Sequence, residues 1–303
     1  MTKFFITGGS GFIGSEVVDE LLSHGHEVLA LARSDNSAKK LIEKGVQVLR
    51  GSIEDLDVLK KGANETDGTI HLAYDHNLSN FAKSGHLIDY EATKTIVDTL
   101  EGTNKVFIYT SGLGGLPTPI GIQSNETDRP NLEKVPKEIK QRMETEHFVL
   151  DSYTKNIRSI VIRLSPIVHG TNDHGFTSYL SQGAKKNGVA LYANEGKSTW
   201  PSIHKKDAAV LYRLAAEKGQ PGKAYHGASE SGIETKLIAE TIAKKIGVET
   251  KSTNINELSD KLGFIGGFFA VNINSSSELT RKELGWEPKE LGLIEDIEKN
   301  YTL

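Results

Sequence analysis

Short apolar runs alternate with amphipathic stretches through the first half of the chain. Lys3-Phe-Phe-Ile6 is a compact run suited to a buried parallel strand. Behind it Ile13, Val17, Val18, Leu21 and Leu22 recur at helical spacing, Gly25 ends that helix, and residues 27–32 supply a second apolar strand. The alternation continues with a helix over 36–44, a strand over 46–50, a helix over 55–61, a strand over 68–73, a helix over 90–100 and a strand over 105–110. Periodicity then stops: residues 116–135 carry Pro117, Pro119 and Pro130 and predict a long surface loop near the carboxyl ends of the strands. A helix over 137–153 and a sixth strand over 159–164 follow. Beyond Pro166 the pattern is mixed, with helices over 176–186, 206–217 and 234–246 and short strands over 189–192 and 224–227.

This order predicts an α/β fold, a doubly wound parallel sheet with helices on both faces. Residues 1–170 form the sheet domain and 171–303 a small mixed lobe, with segments returning to the sheet, laid over the edge where a substrate enters. The turn after the first strand, Thr7-Gly8-Gly9-Ser10-Gly11-Phe12-Ile13-Gly14, explains what such a sheet would hold. Gly8 allows a tight turn, Gly11 lets a pyrophosphate approach the backbone, and Gly14 permits close packing of helix on strand; the phosphates then sit on the helix N-terminus. Within a strand–helix–strand unit of this size, the three glycines mark a Rossmann dinucleotide cradle. Strand two ends in Ala32-Arg33-Ser34, where an NAD site would carry a carboxylate. Arg33 can grip a 2′-phosphate bidentately with Ser34 as a further donor, which predicts NADP(H); Asp35 keeps NAD as the alternative.

Composition narrows the class. The chain has 303 residues, 37% hydrophobic and 25% charged, with a net charge of −4, which offers no electrostatic attraction for nucleic acid or an anionic membrane. It has no cysteine, hence no disulfide, thiolate metal site or thiol nucleophile. A strand from the first residues and no apolar run near the ~18 residues of a membrane span give the expectation of a cytoplasmic enzyme. His169, Asp173, His174 and His204 match no ligand spacing, so no metal is expected.

With these motifs in view, the chain resembles the short-chain dehydrogenase/reductase superfamily in its extended, epimerase-like form. Thr7 to Gly14 matches the family's TGxxGxxG, His71-Leu72-Ala73 its HLA segment, Tyr109-Thr110-Ser111 its YTS, Arg163 to Pro166 with Gly170 its strand-six segment, and Glu283-Leu-Gly-Trp-Glu-Pro288 its C-terminal ELGWxP. The catalytic signature departs from the pattern. Where the family carries Tyr-x-x-x-Lys this chain has Glu138 and Arg142, and the usual serine position is Gly112, with Ser111 one step earlier. Tyr90-Glu-Ala-Thr-Lys94 has the right letters on a helix before strand five, away from the site. The chain is therefore similar to atypical members that share its His71-Leu-Ala-Tyr-Asp-His76, Thr110-Ser111-Gly112 and Val168-His-Gly-Thr-Asn-Asp-His-Gly-Phe176 segments.

The resemblance implies a cofactor site drawn from Thr7, Gly8, Ser10, Gly11, Phe12, Ile13 and Gly14, Arg33 and Ser34, Ser52 and Ile53, Leu72, Ala73 and Tyr74, Thr110 and Ser111, Arg142, and Pro166, Ile167 and Val168. Hydride transfer also needs a proton donor near the carbonyl oxygen, and the strand ends offer Tyr74, His76, Ser111 and His169. His71, inside a strand, is a core histidine. The expected activity is NADPH-dependent reduction of a small aldehyde or ketone. Two alternatives stand beside it: nucleotide-sugar epimerisation or dehydration, and a non-catalytic NADP(H)-binding protein. The charge on the helix over 137–153 favours a monomer over a homodimer.

Overall fold

The computed structural model describes residues 1–74, 85–135 and 137–303; the side chains of residues 137 and 138 fall outside that description. Seven parallel strands form the central sheet: β1 (Lys3–Thr7), β2 (Glu27–Ala32), β3 (Gln47–Arg50), β4 (Gly68–His71), β5 (Val106–Gly112), β6 (Arg158–Leu164) and β10 (Lys223–Gly227). Their order is β10-β6-β5-β4-β1-β2-β3, so the winding reverses between β1 and β4 and opens a crevice at their carboxyl ends. This is the expected doubly wound Rossmann architecture.

Alternation along β1 divides the apolar material between two layers. Phe4 and Ile6 pack with Val17, Val18 and Leu21 of α1 (Phe12–Ser23) and with Leu211 and Tyr212 of α7 (Lys205–Lys218). Phe5 faces Leu59 of α3 (Leu56–Asn64), Ile96 and Val97 of α4 (His86–Leu100) and Val149 of α5 (Lys137–Asp151). A strand buried on both faces has no polar face to present, which is why β1 reads as a continuous apolar run.

The lobe holds a three-stranded sheet, β11 (Glu230–Glu234), β9 (Thr199–His204) and β7 (Ile167–His169), and a parallel pair, β8 (Val189–Ala193) with β12 (Glu249–Thr253). β9 is not predicted from the sequence because Pro201 interrupts it, and a proline cannot donate to a ladder. The sheet accommodates it through gaps on both sides. Pairing with β7 begins only at Ser202, and the register of β11 shifts between Glu230 and Ile233, opposite Pro201. The segment after Leu284 latches onto α7, where Trp286 Nε1 donates to the Asp207 carbonyl at 3.0 Å and the Lys289 amide to Asp207 Oδ1 at 2.8 Å.

The 116–135 loop is less free than a surface loop. Ser124 bridges to Ser275 and is buried, and the buried Glu126 accepts from the Thr280 amide and hydroxyl, each at 2.7 Å. It therefore fastens the end of β5 to the lobe. Among the described residues, no helix is long and apolar enough to cross a membrane.

Candidate active site

The glycine turn is built by sterics that only glycine satisfies. Gly8 sits at φ +75°, and a Cβ there would lie 2.7 Å from the Ala73 amide nitrogen. A Cβ on Gly14 would lie 2.1 Å from the Gly8 carbonyl oxygen, so α1 starts pressed against the turn. Gly11 caps α1 without a side chain, and among the described residues the one atom near its missing Cβ is the Gly8 oxygen at 3.2 Å. The space above the helix N-terminus is thus left for an anion, and the residues present fit a dinucleotide. Thr7 fastens the turn to the end of β4, its hydroxyl lying 2.7 Å from His71 Nδ1 and accepting from the Ala73 amide at 3.1 Å. His71 is buried between Thr7 and Asp89, whose carboxylate also accepts from the Tyr109 hydroxyl at 2.6 Å, as a core role requires. Burial, reinforced by Asp89, raises the Tyr109 pKa well above its ordinary value, keeping that phenol a donor.

Arg33 and Ser34 sit together at the end of β2, yet differ in availability. Arg33 is exposed, whereas the Ser34 hydroxyl caps α2 (Asp35–Glu43), accepting from the Ser37 amide at 3.1 Å. Asp35, the carboxylate that could serve NAD, is held by Arg50 at 2.6 Å. Ser52 and Ile53 follow β3, where the Ser52 amide donates to Asp55 at 2.6 Å and Ile53 packs on the core beneath.

At the crevice, the chain brings a phenol, an imidazole and a guanidinium together from three elements. Tyr74, just past β4, has its hydroxyl 2.6 Å from Nδ1 of His86 at the start of α4. The Arg142 guanidinium, from α5, lies 4.0 Å above the Tyr74 ring and donates to the Thr110 carbonyl at 3.0 Å. Burial disfavours the Arg142 charge, but Tyr109, Asp89 and Tyr74 more than offset this and its pKa is raised. The Thr110 hydroxyl turns to the opposite face of the sheet, 2.7 Å from the Tyr212 hydroxyl.

Two predicted donors are engaged by buried carboxylates. The buried Ser111 hydroxyl donates to Glu146 Oε2, and Glu146 is in turn gripped by Arg163 at 2.8 and 2.9 Å. Adjacent residues of a strand face opposite sides, so Thr110 and Ser111 cannot both line one surface. His169 is fully buried on β7, with Nδ1 2.7 Å from Asp296 of α12 (Leu293–Asn300) and its ring edge-on to His204. It ties the C-terminal helix to the lobe. His76 lies outside the described residues. Pro166, Ile167 and Val168 enter β7 beside the β6 end, and His174 brings its ring 6.4 Å from Phe12 of the glycine turn.

His86, Glu146 and His226 were not singled out by motif, because each acts through a partner distant in sequence. His226 Nε2 lies 3.1 Å from Arg163 Nη1 and its Nδ1 2.7 Å from the Ser276 carbonyl. Burial first, and Arg163 second, lower its pKa from 6.5 to about 3. The unfolded chain therefore takes up this proton first, so stability present above the unfolded value is lost as pH falls through it toward about 3. Wild-type protein should lose about 2 kcal/mol between about pH 7.5 and about pH 5 from this group alone. Urea unfolding at the two pH values checks it; equal midpoints would refute the account.

The family model for the NAD dependent epimerase/dehydratase family matches residues 4–226. The chain belongs to this family. It is 41% identical over 99% of both chains to the uncharacterized protein YLL056C of Saccharomyces cerevisiae. It is 28% identical to a decarboxylating sterol-4-alpha-carboxylate 3-dehydrogenase of Dictyostelium discoideum, over 84% of this chain and 80% of that one. The fold matches Thermus thermophilus UDP-glucose 4-epimerase in complex with NAD at a TM-score of 0.73 and 18% identity, covering 97% of this chain and 96% of the other. Together these make the protein an oxidoreductase-like member of the NAD dependent epimerase/dehydratase family, with the fold of the NAD-bound epimerase.

Proposed function

We propose that the protein is an NADPH-dependent reductase of aldehydes or ketones in which Tyr74 delivers the proton. One observation carries this reading: of the predicted donors that can be described, Tyr74 has His86 at its oxygen and Arg142 over its ring, whereas Ser111 and His169 are buried and engaged by Glu146 and Asp296. A bound nicotinamide supplies the hydride. The chain's own residues hold the carbonyl and move the proton. The Tyr74 hydroxyl donates to the carbonyl oxygen, the Arg142 guanidinium stabilises the negative charge left on the phenol, and His86, 2.6 Å away, returns the proton. Purified protein should oxidise NADPH when given an aldehyde panel; no oxidation above background with any member would sink the reading.

The phosphate preference rests on the exposed Arg33 beside the capped N-terminus of α2, while Asp35 is occupied by Arg50. Arg33→Asp should weaken NADPH binding on the order of 100-fold, about 2.7 kcal/mol for a charged bidentate contact turned repulsive, and improve NADH binding. Calorimetric titration with both cofactors decides; tighter NADH binding by the wild type would overturn the assignment.

A further inference from the structure

An aromatic face stands where the carboxyl end of β5 meets the lobe. β5 runs into a short 3-10 turn, Leu113–Gly115, and a Cβ on Gly114 would lie 2.6 Å from Cζ of Phe268, so that ring rests directly on the backbone of the turn. Phe268 belongs to α10 (Phe264–Phe269) and stacks on Phe176 at 5.4 Å and on Phe264 at 5.8 Å between centroids, with Trp200 edge-on at 5.3 Å. The face is rigidly mounted. A Cβ on Gly266 would lie 2.2 Å from the Leu258 carbonyl oxygen, which shows how closely α10 is pressed onto α9 (Ile255–Leu262). It is also partly open: Phe264 is 38% exposed, and Phe176 and Phe268 are half-buried. His174, two residues before Phe176, reaches Phe12 of the glycine turn, so Phe176 begins a helix that starts beside the cofactor cradle.

Two described cations near this mouth, Lys205 and Arg142, are already committed. Lys205 pairs with Glu16 at 2.8 Å, and Arg142 is engaged by Thr110 and Tyr74. A sugar pyrophosphate would need unspent cations beside it, whereas an apolar tail needs only aromatic surface. We propose that the substrate is an apolar aldehyde whose alkyl or aryl tail stacks on Phe264, Phe268 and Phe176 while its carbonyl faces Tyr74. This rests on the reductase reading above and adds the substrate class.

The test uses a homologous series in which carbonyl reactivity is held constant. From propanal to hexanal, kcat/KM should rise about fourfold per methylene, the factor corresponding to ~0.8 kcal/mol per buried CH₂. The slope should flatten in Phe264→Ala, whose partly exposed ring can be removed without opening the core, and in the gentler Phe268→Leu, with the loss of kcat/KM largest for hexanal and smallest for propanal. Binding is measured separately by titrating acetamide, butanamide and hexanamide, unreactive carbonyl analogues, into the NADP⁺-loaded protein. Dissociation constants falling along the series support the inference. Turnover of all aldehydes at equal efficiency, with equal binding of all amides, overturns the substrate class and leaves the reductase reading standing. Progressive amide binding without turnover of any aldehyde supports the aromatic subsite and overturns the reductase reading. Neither turnover nor progressive binding overturns both.

Discussion

Replacing Tyr74 by phenylalanine is expected to lower kcat for aldehyde reduction by about 10²- to 10³-fold, with KM changing less than about threefold. The substitution keeps the ring beneath the Arg142 guanidinium, 4.0 Å away, and deletes only the hydroxyl that lies 2.6 Å from His86. Packing survives and the proton path does not. Ser111→Ala is the informative contrast, because it leaves Glu146 Oε2 without the hydroxyl that now donates to it. A buried acceptor stripped of its donor costs about 1–3 kcal/mol, so this variant should unfold earlier while its kcat stays within a few-fold of wild type. Steady-state kinetics and urea unfolding of both variants separate the roles. Full activity in Tyr74→Phe would remove Tyr74 from the chemistry, and a kcat collapse in a folded Ser111→Ala would return the proton to Ser111.

What could be read from the sequence, and what could not, follows from the range of the interactions. The central sheet was legible because Phe4, Phe5 and Ile6 are buried on both faces and leave an unbroken apolar run, followed at once by a helix of regular spacing. The glycine turn was legible because its geometry is local: Gly8 and Gly14 meet each other, six positions apart. β9 was hidden by Pro201, whose place in a ladder depends on gaps in two partner strands that no local pattern reveals. The direction of Ser111 was hidden too. A strand end announces a hydroxyl but not the face it takes, which here is set by Glu146 and Arg163, arriving from α5 and β6. Likewise Tyr74 and Arg142 were separate candidates in the sequence, and the fold brings a phenol from the end of β4 under a cation from α5. Chemistry assembled from three elements leaves no spacing to recognise.

The cradle itself makes the sharpest prediction, because its glycines are required for different reasons. At position 14 an added methyl would meet the Gly8 carbonyl oxygen at 2.1 Å and the Gly9 Cα at 2.9 Å, both backbone atoms that cannot rotate away. Gly14→Ala must therefore push α1 off the sheet, costing about 3 kcal/mol or more, and cofactor binding falls with the fold. At position 11 the same methyl meets, among the described residues, only the Gly8 oxygen at 3.2 Å, at the N-terminus of α1. Gly11→Ala should keep the wild-type unfolding midpoint to within about 1 kcal/mol while weakening NADPH binding on the order of 100-fold, because the methyl takes the room that the pyrophosphate needs. Calorimetric titration with NADPH beside urea unfolding distinguishes the two. If Gly11→Ala binds NADPH as tightly as wild type, the phosphates do not lie on this turn, and the crevice would have to hold the cofactor, and offer it to Tyr74, in some other orientation.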